Sequence, residues 1–312
     1  LSYCWQRFRI SFFRGQDVVL AIFAKFTSAL SKWYTQQLEP LWFRRRRPKR
    51  LQSFSPAVGL PLLPVAQLQL DGRQGGDSPL IRRYQRYYQQ FLQVGTLQRG
   101  PLQQGGIAML LPLLQYTDAA TFNRQLKKKA GNFWREADKA RRLDLIVQPF
   151  MSANYTPDLL EIRRSRKIRA FGPVLDAFTL RLADLGGAPV GLQPLQLPVQ
   201  AEHWDLYVGV FRPAAGYQQG AVTTDQQLVA YARLHRIGNM LRYAELMGHA
   251  QFQRQGVMSL LHLQVVELLL TRNTPWLQGI EYLSYGALEQ GSDGLLFWKR
   301  KAQFLPYLLL SG

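Results

Sequence analysis

Cysteine is nearly absent from this chain: Cys4 is the only one in 312 residues. A single thiol excludes an intrachain disulfide and any cysteine-built metal site. Histidine is also scarce. His203, His235, His249 and His262 stand at no metal-ligand spacing, so each reads as a surface or packed side chain and no metal is expected. Acidic residues number 20 against 39 Lys and Arg, and the resulting net charge of +19 demands an anionic partner, whether nucleic acid, an anionic membrane face or a phosphate-bearing cofactor. Long hydrophobic runs are missing as well. Lys25 and Lys32 interrupt the best candidate before it reaches the ~18 residues a spanning helix needs. The expected location is therefore cytoplasmic, at most peripheral at the inner face of the membrane. The chain starts at Leu1, which leaves an upstream targeting segment open. The absence of a Gly-x-Ser-x-Gly elbow, a P-loop and a dinucleotide fingerprint leaves hydrolase, nucleotidase and Rossmann readings without support.

What is present is ample for a core: 47% hydrophobic and 12% aromatic residues, with only 19% charged. Three textures follow one another. Residues 1–50 form a basic amphipathic arm. In "DVVLAIFAKFTSALSKWYTQQL", Val19, Ile22, Phe23, Phe26, Leu30 and Trp33 share a helical face, bracketed by "RFRISFFR" and "LWFRRRRPKR". Such a helix suits an anionic bilayer, a membrane-protein partner or the chain's own core. Pro48, inside the arginine cluster, marks a linker. Residues 51–117 are rich in Pro, Gly and Gln and read as an extended wrapping segment with one helix, "PLIRRYQRYYQQFLQVG".

Residues 118–312 read as a mixed α/β domain. A basic helix runs from an Asp or Thr cap through "FNRQLKKKAGNFWREADKARR" into the strand-like "LDLIVQPF". "TPDLLEIRRSRKIRAFG" is a second helix. Then come the strands "WDLYVGVFR", "QLVAYARLHR" and "MLRYAELMGH", a helix from Val257 to about Thr271, the strand "WLQGIEYLSYG", the short helix "GLLFWKRKA" and the strand "FLPYLLL".

The turn "AQFQRQG" before the long helix offers unpaired backbone N–H groups and the positive end of the helix dipole, a natural seat for phosphate. Gly256 would let a ligand approach the main chain. Gln253-Arg254-Gln255-Gly256-Val257-Met258 resembles the Q/R-x-x-G-x-G/A signature of the GNAT acyltransferase superfamily, with Met258 replacing the final small residue. "FNRQLKKKAGNFWREADKARRLDLIVQPF" and the ending "YLSYGALEQGSDGLLFWKRKAQFLPYLL" resemble the FemAB-like branch, although that branch's final glycine is missing after Phe304. The resemblance covers about residues 118–312. It implies a GNAT-like mixed central sheet flanked by helices, a splayed strand holding the thioester, and acetyl-CoA or another acyl-CoA as co-substrate.

The site residues follow from that resemblance. Gln253, Arg254, Gln255, Gly256 and Val257 would seat the coenzyme's pyrophosphate. Glu245, on the strand before the turn and beside Tyr243 and Met247, would be the general base. Tyr285 would protonate the leaving sulfur. Asp158, Glu161, Ser165 and Arg169 share one side of a helix and would line the acceptor pocket. The function implied is N- or O-acyl transfer to a small amine, sugar or envelope precursor. Two alternatives stand beside it: a non-catalytic subunit docking on a membrane or membrane protein through residues 1–50, and a user of charged tRNA. No recognised nucleic-acid module supports a wider nucleic-acid role.

Overall fold

The computed structural model describes residues 63–69, 106–166, 180–199 and 202–311, the backbone of 168–169 and 172–173, Thr179 and a few isolated positions between 45 and 92. The chain divides into two compact units, Leu1–Leu60 and Pro61–Gly312. In the first, Arg45, Arg47 and residues 49–52 are helical, and Pro48, read as the linker, lies outside the described residues. The amphipathic helix of residues 17–38 lies outside the described residues.

The second unit is built on one eight-stranded sheet. Its strands are β1 (Val65–Leu68), β2 (Ala108–Pro112), β3 (Ile146–Phe150), β4 (His203–Pro213), β5 (Gln226–Ile237), β6 (Met240–Gly248), β7 (Tyr282–Ala287) and β8 (Leu305–Ser311). In space they run β1-β8-β2-β7-β6-β5-β4-β3. Only β1/β8 and β6/β7 are parallel. The stretch expected merely to wrap thus contributes two strands, and fully buried Met109, Leu110 and Leu111 place β2 in the interior. Two short ladders, Ile168–Arg169 with Gly172–Pro173 and Gln218–Gln219 with Val222–Thr223, stand apart from the sheet.

Among the described residues, five helices flank the sheet: α1 (Ala119–Lys129), α2 (Gly131–Arg141), α3 (Thr156–Arg164), α4 (Val257–Thr271) and α5 (Asp293–Lys301). The single basic helix expected over the start of this region is two, broken at Ala130. Asp118 caps α1 by accepting from the Thr121 N–H at 2.6 Å, and Ser292 caps α5 through the Leu295 N–H at 3.2 Å. The central strand β5 is buried on both faces because α3 covers one side and α4 the other. Leu159 and Ile162 of α3 pack on Phe150, Phe211, Leu228 and Tyr231. α4 is apolar nearly all round, with ten of its fifteen residues buried, since α1 and α2 cover its outer side. The arrangement is a mixed sheet with helices on both faces, consistent with a GNAT-like fold.

Candidate functional site

The parallel strands β6 and β7 pair only from Met240–Tyr282 to Arg242–Ser284. Beyond that point β6 stays with β5 as far as Gly248, whereas β7 stays with β2 as far as Ala287, so the two strands part. Aromatic rings fill the opening on the α4 side. Tyr285 meets Tyr243 at 5.6 Å between centroids, Trp298 at 5.7 Å and Phe304 at 5.9 Å. His262, fully buried on α4, joins them. Its Nε2–H donates to the Ala302 carbonyl at 3.0 Å, so its Nδ1 accepts from the Tyr243 hydroxyl, also at 3.0 Å. Burial pushes this imidazole down to about 3 and the Tyr243 phenol well up, so both stay neutral.

A bulge in β6 separates the expected acid from the expected base. The β5/β6 register shifts between Tyr243 and Glu245, leaving Ala244 as the extra residue. Strict alternation would have put positions 243 and 245 on one face. Instead Tyr243 faces α4, while Glu245 faces α3 together with Met247. Glu245 and Tyr285 therefore lie on opposite faces of the sheet and do not form an acid–base pair. Nor does Glu245 stand beside Tyr243 as expected. Its Oε2 accepts from the Arg163 guanidinium and, at 2.8 Å, from the Tyr231 hydroxyl, and its Oε1 lies 3.8 Å from Arg233. Arg233 in turn donates to Asp205 at 2.9 Å, and Asp205 lies 3.0 Å from His235 Nε2. The result is a half-buried, mutually neutralising network, with His235 held below its ordinary range by desolvation.

Arg163 was missed in the sequence, because "EIRRSRKIR" offers five cations at similar spacing and only α3's seating selects the one that turns inward. Of the four residues expected to line an acceptor pocket, the three whose side chains are described do not join this network. Asp158 is buried at the start of α3, where its carboxylate accepts from the Tyr217 hydroxyl at 2.7 Å and the Leu228 N–H at 2.8 Å. Desolvation raises it to about 6 against those hydrogen bonds. Glu161 is exposed. Ser165 fastens the end of α3, donating to Ile162 O at 2.7 Å and accepting from Ala250 N at 3.1 Å. The Arg169 side chain lies outside the described residues.

The turn before α4 is a 3-10 helix, Ala250–Gln255, closed by Gly256 at φ +81°. The glycine is required, but for the protein's own packing. A Cβ there would sit 2.1 Å from the Glu136 carbonyl oxygen and 2.7 Å from its carbon, so the main chain of α2 occupies the approach expected for a ligand. Glu136 also accepts from the Ser259 hydroxyl at 2.9 Å, setting a carboxylate beside the positive end of α4. Val257 is fully buried. Gln253 donates to Gly248 O at 3.3 Å, exposed Arg254 gives its carbonyl to Lys139 Nζ at 3.5 Å, and Gln255 is half-buried. Met258, at the position where the signature has a small residue, stands against Gly248, where an added Cβ would fall 2.6 Å from its sulfur.

An open cavity walled by cations lies elsewhere. A cavity of about 540 Å³ is formed where α1 ends, α2 begins and α5 ends; its charged walls are Lys127, Lys128, Lys129, Arg135, Arg300 and Lys301, without one acidic residue. Cations in the last turns of α1 and α5 offset the negative ends of their dipoles. That account does not reach Arg135, nor the start of α2, whose cap residue Ala130 makes no side-chain bond. At Gly131 nothing lies within 4 Å of an added Cβ, so this backbone is open. The exposed ring of Phe297 completes the wall, with Lys301 Nζ 4.5 Å from its centroid. Lys299, two residues before Lys301, does not join: it is buried and donates to Ala287 O at 2.8 Å.

No family model matches the chain, and no curated protein matches it. Solved structures resemble it distantly. A tandem GNAT protein of the clavulanic acid biosynthesis pathway is 13% identical, with a TM-score of 0.35 over 65% of this chain and 50% of that one. A conserved protein of unknown function from Staphylococcus epidermidis is 10% identical, with a TM-score of 0.34 over 64% and 56%. The C-terminal domain of an Agrobacterium fabrum protein with the provisional name lysylphosphatidylglycerol synthetase is 12% identical, with a TM-score of 0.36 over 64% and 58%. The matches thus span 50 to 58% of those chains. Likeness at this level carries no argument for activity.

Proposed function

We propose that the chain is a GNAT-like acyltransferase whose donor is anchored by its phosphates in the α1–α2–α5 cavity, with acyl-CoA as the donor. The observation that supports this is the convergence of six cations and an uncapped helix start on one open cavity of about 540 Å³. The ring of Phe297 offers a flat face for a nucleobase. The acyl chain would run toward the parting of β6 and β7, and a small amine acceptor would enter on the α3 side, oriented by Arg163, Arg233 and Glu245. With both oxygens engaged by cations, Glu245 positions rather than takes a proton, and proximity carries most of the rate. Calorimetric titration with acetyl-CoA, longer acyl-CoA and free CoA tests the reading, alongside the double variant Lys128→Glu, Arg135→Glu. Saturable binding that is lost in the variant supports it; binding that survives the charge reversal rejects the cavity.

Two observations favour other readings. Lys127, Lys128, Lys129, Arg135 and Lys139 continue along α1 and α2 as a basic track, which suits the backbone of charged tRNA. Such a donor would show log affinity falling steeply with log salt concentration, whereas CoA would show a shallow slope. The separation of Glu245 from Tyr285 favours a non-catalytic subunit, for which no acyl transfer would appear with any donor.

A further inference from the structure

Residues 185–201, "LGGAPVGLQPLQLPVQA", carry no charged side chain in a chain of net charge +19. Five of the eleven exposed large hydrophobic residues among those described fall within ten positions here: Val190 and Val199 at 93% exposure, Leu192 at 61%, Leu197 at 48% and Leu195 at 44%. The strap is not loose. Thr156 Oγ1 donates to Gly187 O at 2.6 Å, Ala221 N donates to Pro189 O at 3.2 Å, and the Asn154 side chain makes a two-point clip with Gln193, N and O each at 2.8 Å. Polar groups at the start of α3 therefore hold the backbone while the aliphatic side chains face outward.

The composition narrows what covers them. Pro189, Pro194 and Pro198 lack the N–H groups that strand addition needs, and they stop a helix. Their spacings of five and four do not repeat on a polyproline helix of three residues per turn. Trp, Tyr, Arg and Met, the usual anchors of protein interfaces, are all missing from the strap. The sequence leading into it is basic, with six Lys and Arg against two Asp between Ile162 and Ala201. Among the described residues no helix is long and apolar enough to cross a membrane. Aliphatic side chains on a pinned backbone, in a chain of net charge +19, are the chemistry of shallow insertion into an anionic bilayer surface.

We propose that the strap Pro189–Val199 docks the protein on an anionic lipid surface, with Val190, Leu192, Leu195, Leu197 and Val199 entering the headgroup–acyl boundary. The inference does not rest on acyl transfer or on residues 1–50. It is tested on the full chain in a Cys4→Ser background, with Leu195→Cys carrying an environment-sensitive NBD label and Leu143→Cys as a control on another exposed leucine. On vesicles of phosphatidylglycerol and phosphatidylcholine, the label at 195 should shift to the blue, brighten several-fold and be quenched by lipid-borne but not aqueous quenchers, while the label at 143 stays unchanged. Leu192→Gln with Leu197→Gln should lower the vesicle partition coefficient on the order of ten-fold, at an unchanged thermal midpoint. An unshifted label at 195 on vesicle-bound protein overturns the proposal and assigns docking to another surface. Failure to bind the vesicles, or equal binding by the double variant, overturns it too.

Discussion

Two helix starts in this molecule have similar local chemistry and opposite surroundings. Both α2 and α4 begin at a glycine-containing turn, and neither has a side-chain cap. In front of α4 stands the main chain of Glu136, close enough that Gly256 admits nothing else, with the Glu136 carboxylate on Ser259. In front of α2 is open space walled by cations. A helix dipole and free N–H groups are common to every helix start. What makes one of them a site is what the rest of the fold puts before it.

The largest effect should come from the closed start. Gly256→Ala forces a Cβ into the Glu136 carbonyl at φ +81° and should destabilise the fold by about 3 kcal/mol, read as a lowered midpoint in thermal or urea unfolding. If the variant instead keeps its stability and loses a ligand, the two starts have been assigned the wrong way round.

The α2–α4 interface that closes this start is buried around His262, whose ring lies 5.8 Å from Phe133. The imidazole is held down to about 3 in the fold against 6.5 when free. The unfolded chain therefore takes up a proton below pH 6.5 that the folded chain refuses. This contribution to stability is complete above 6.5 and falls by about 1.4 kcal/mol per pH unit on acidification toward 3. His262→Phe should flatten that part of the stability–pH curve, measured by urea unfolding at a series of pH values. An unchanged slope would mean that the ring is not buried and neutral.

At the open start, Lys128→Glu with Arg135→Glu should weaken CoA binding about 100-fold, roughly ten-fold for each charge-assisted hydrogen bond removed, while leaving the unfolding midpoint in place. The smallest effect should be Gly131→Ala. With no atom to strike, it should change stability by less than about 1 kcal/mol, and in the favourable direction, because it restricts the unfolded chain. A large loss there would erase the contrast with Gly256.

Much of the fold was legible in the residues. The alternation in "WDLYVGVFR", the strand-forming run "QLVAYARLHR", the apolar run from Val257 and the cap at Asp118 rest on local rules of propensity, period and hydrogen bonding, and β4, β5, α4 and α1 follow them. β1 and β2 were hidden in a Pro- and Gly-rich stretch: β1 is only four residues long, and β2, buried on both faces, shows no alternation. The candidate site was less legible. One extra residue at Ala244 turned Glu245 away from Tyr243, and periodicity cannot show a bulge.

By itself, the sequence determined the chain's electrostatic sign, its want of disulfide chemistry and the α/β order of its last two hundred residues, since these depend on composition and on neighbours along the chain. Tertiary structure alone decided which glycine faces open space and which faces a carbonyl, which of five arginines and lysines on one segment meets Glu245, and that six cations from three helices share a cavity. Those outcomes depend on distances between segments far apart in the chain, and only packing sets such distances.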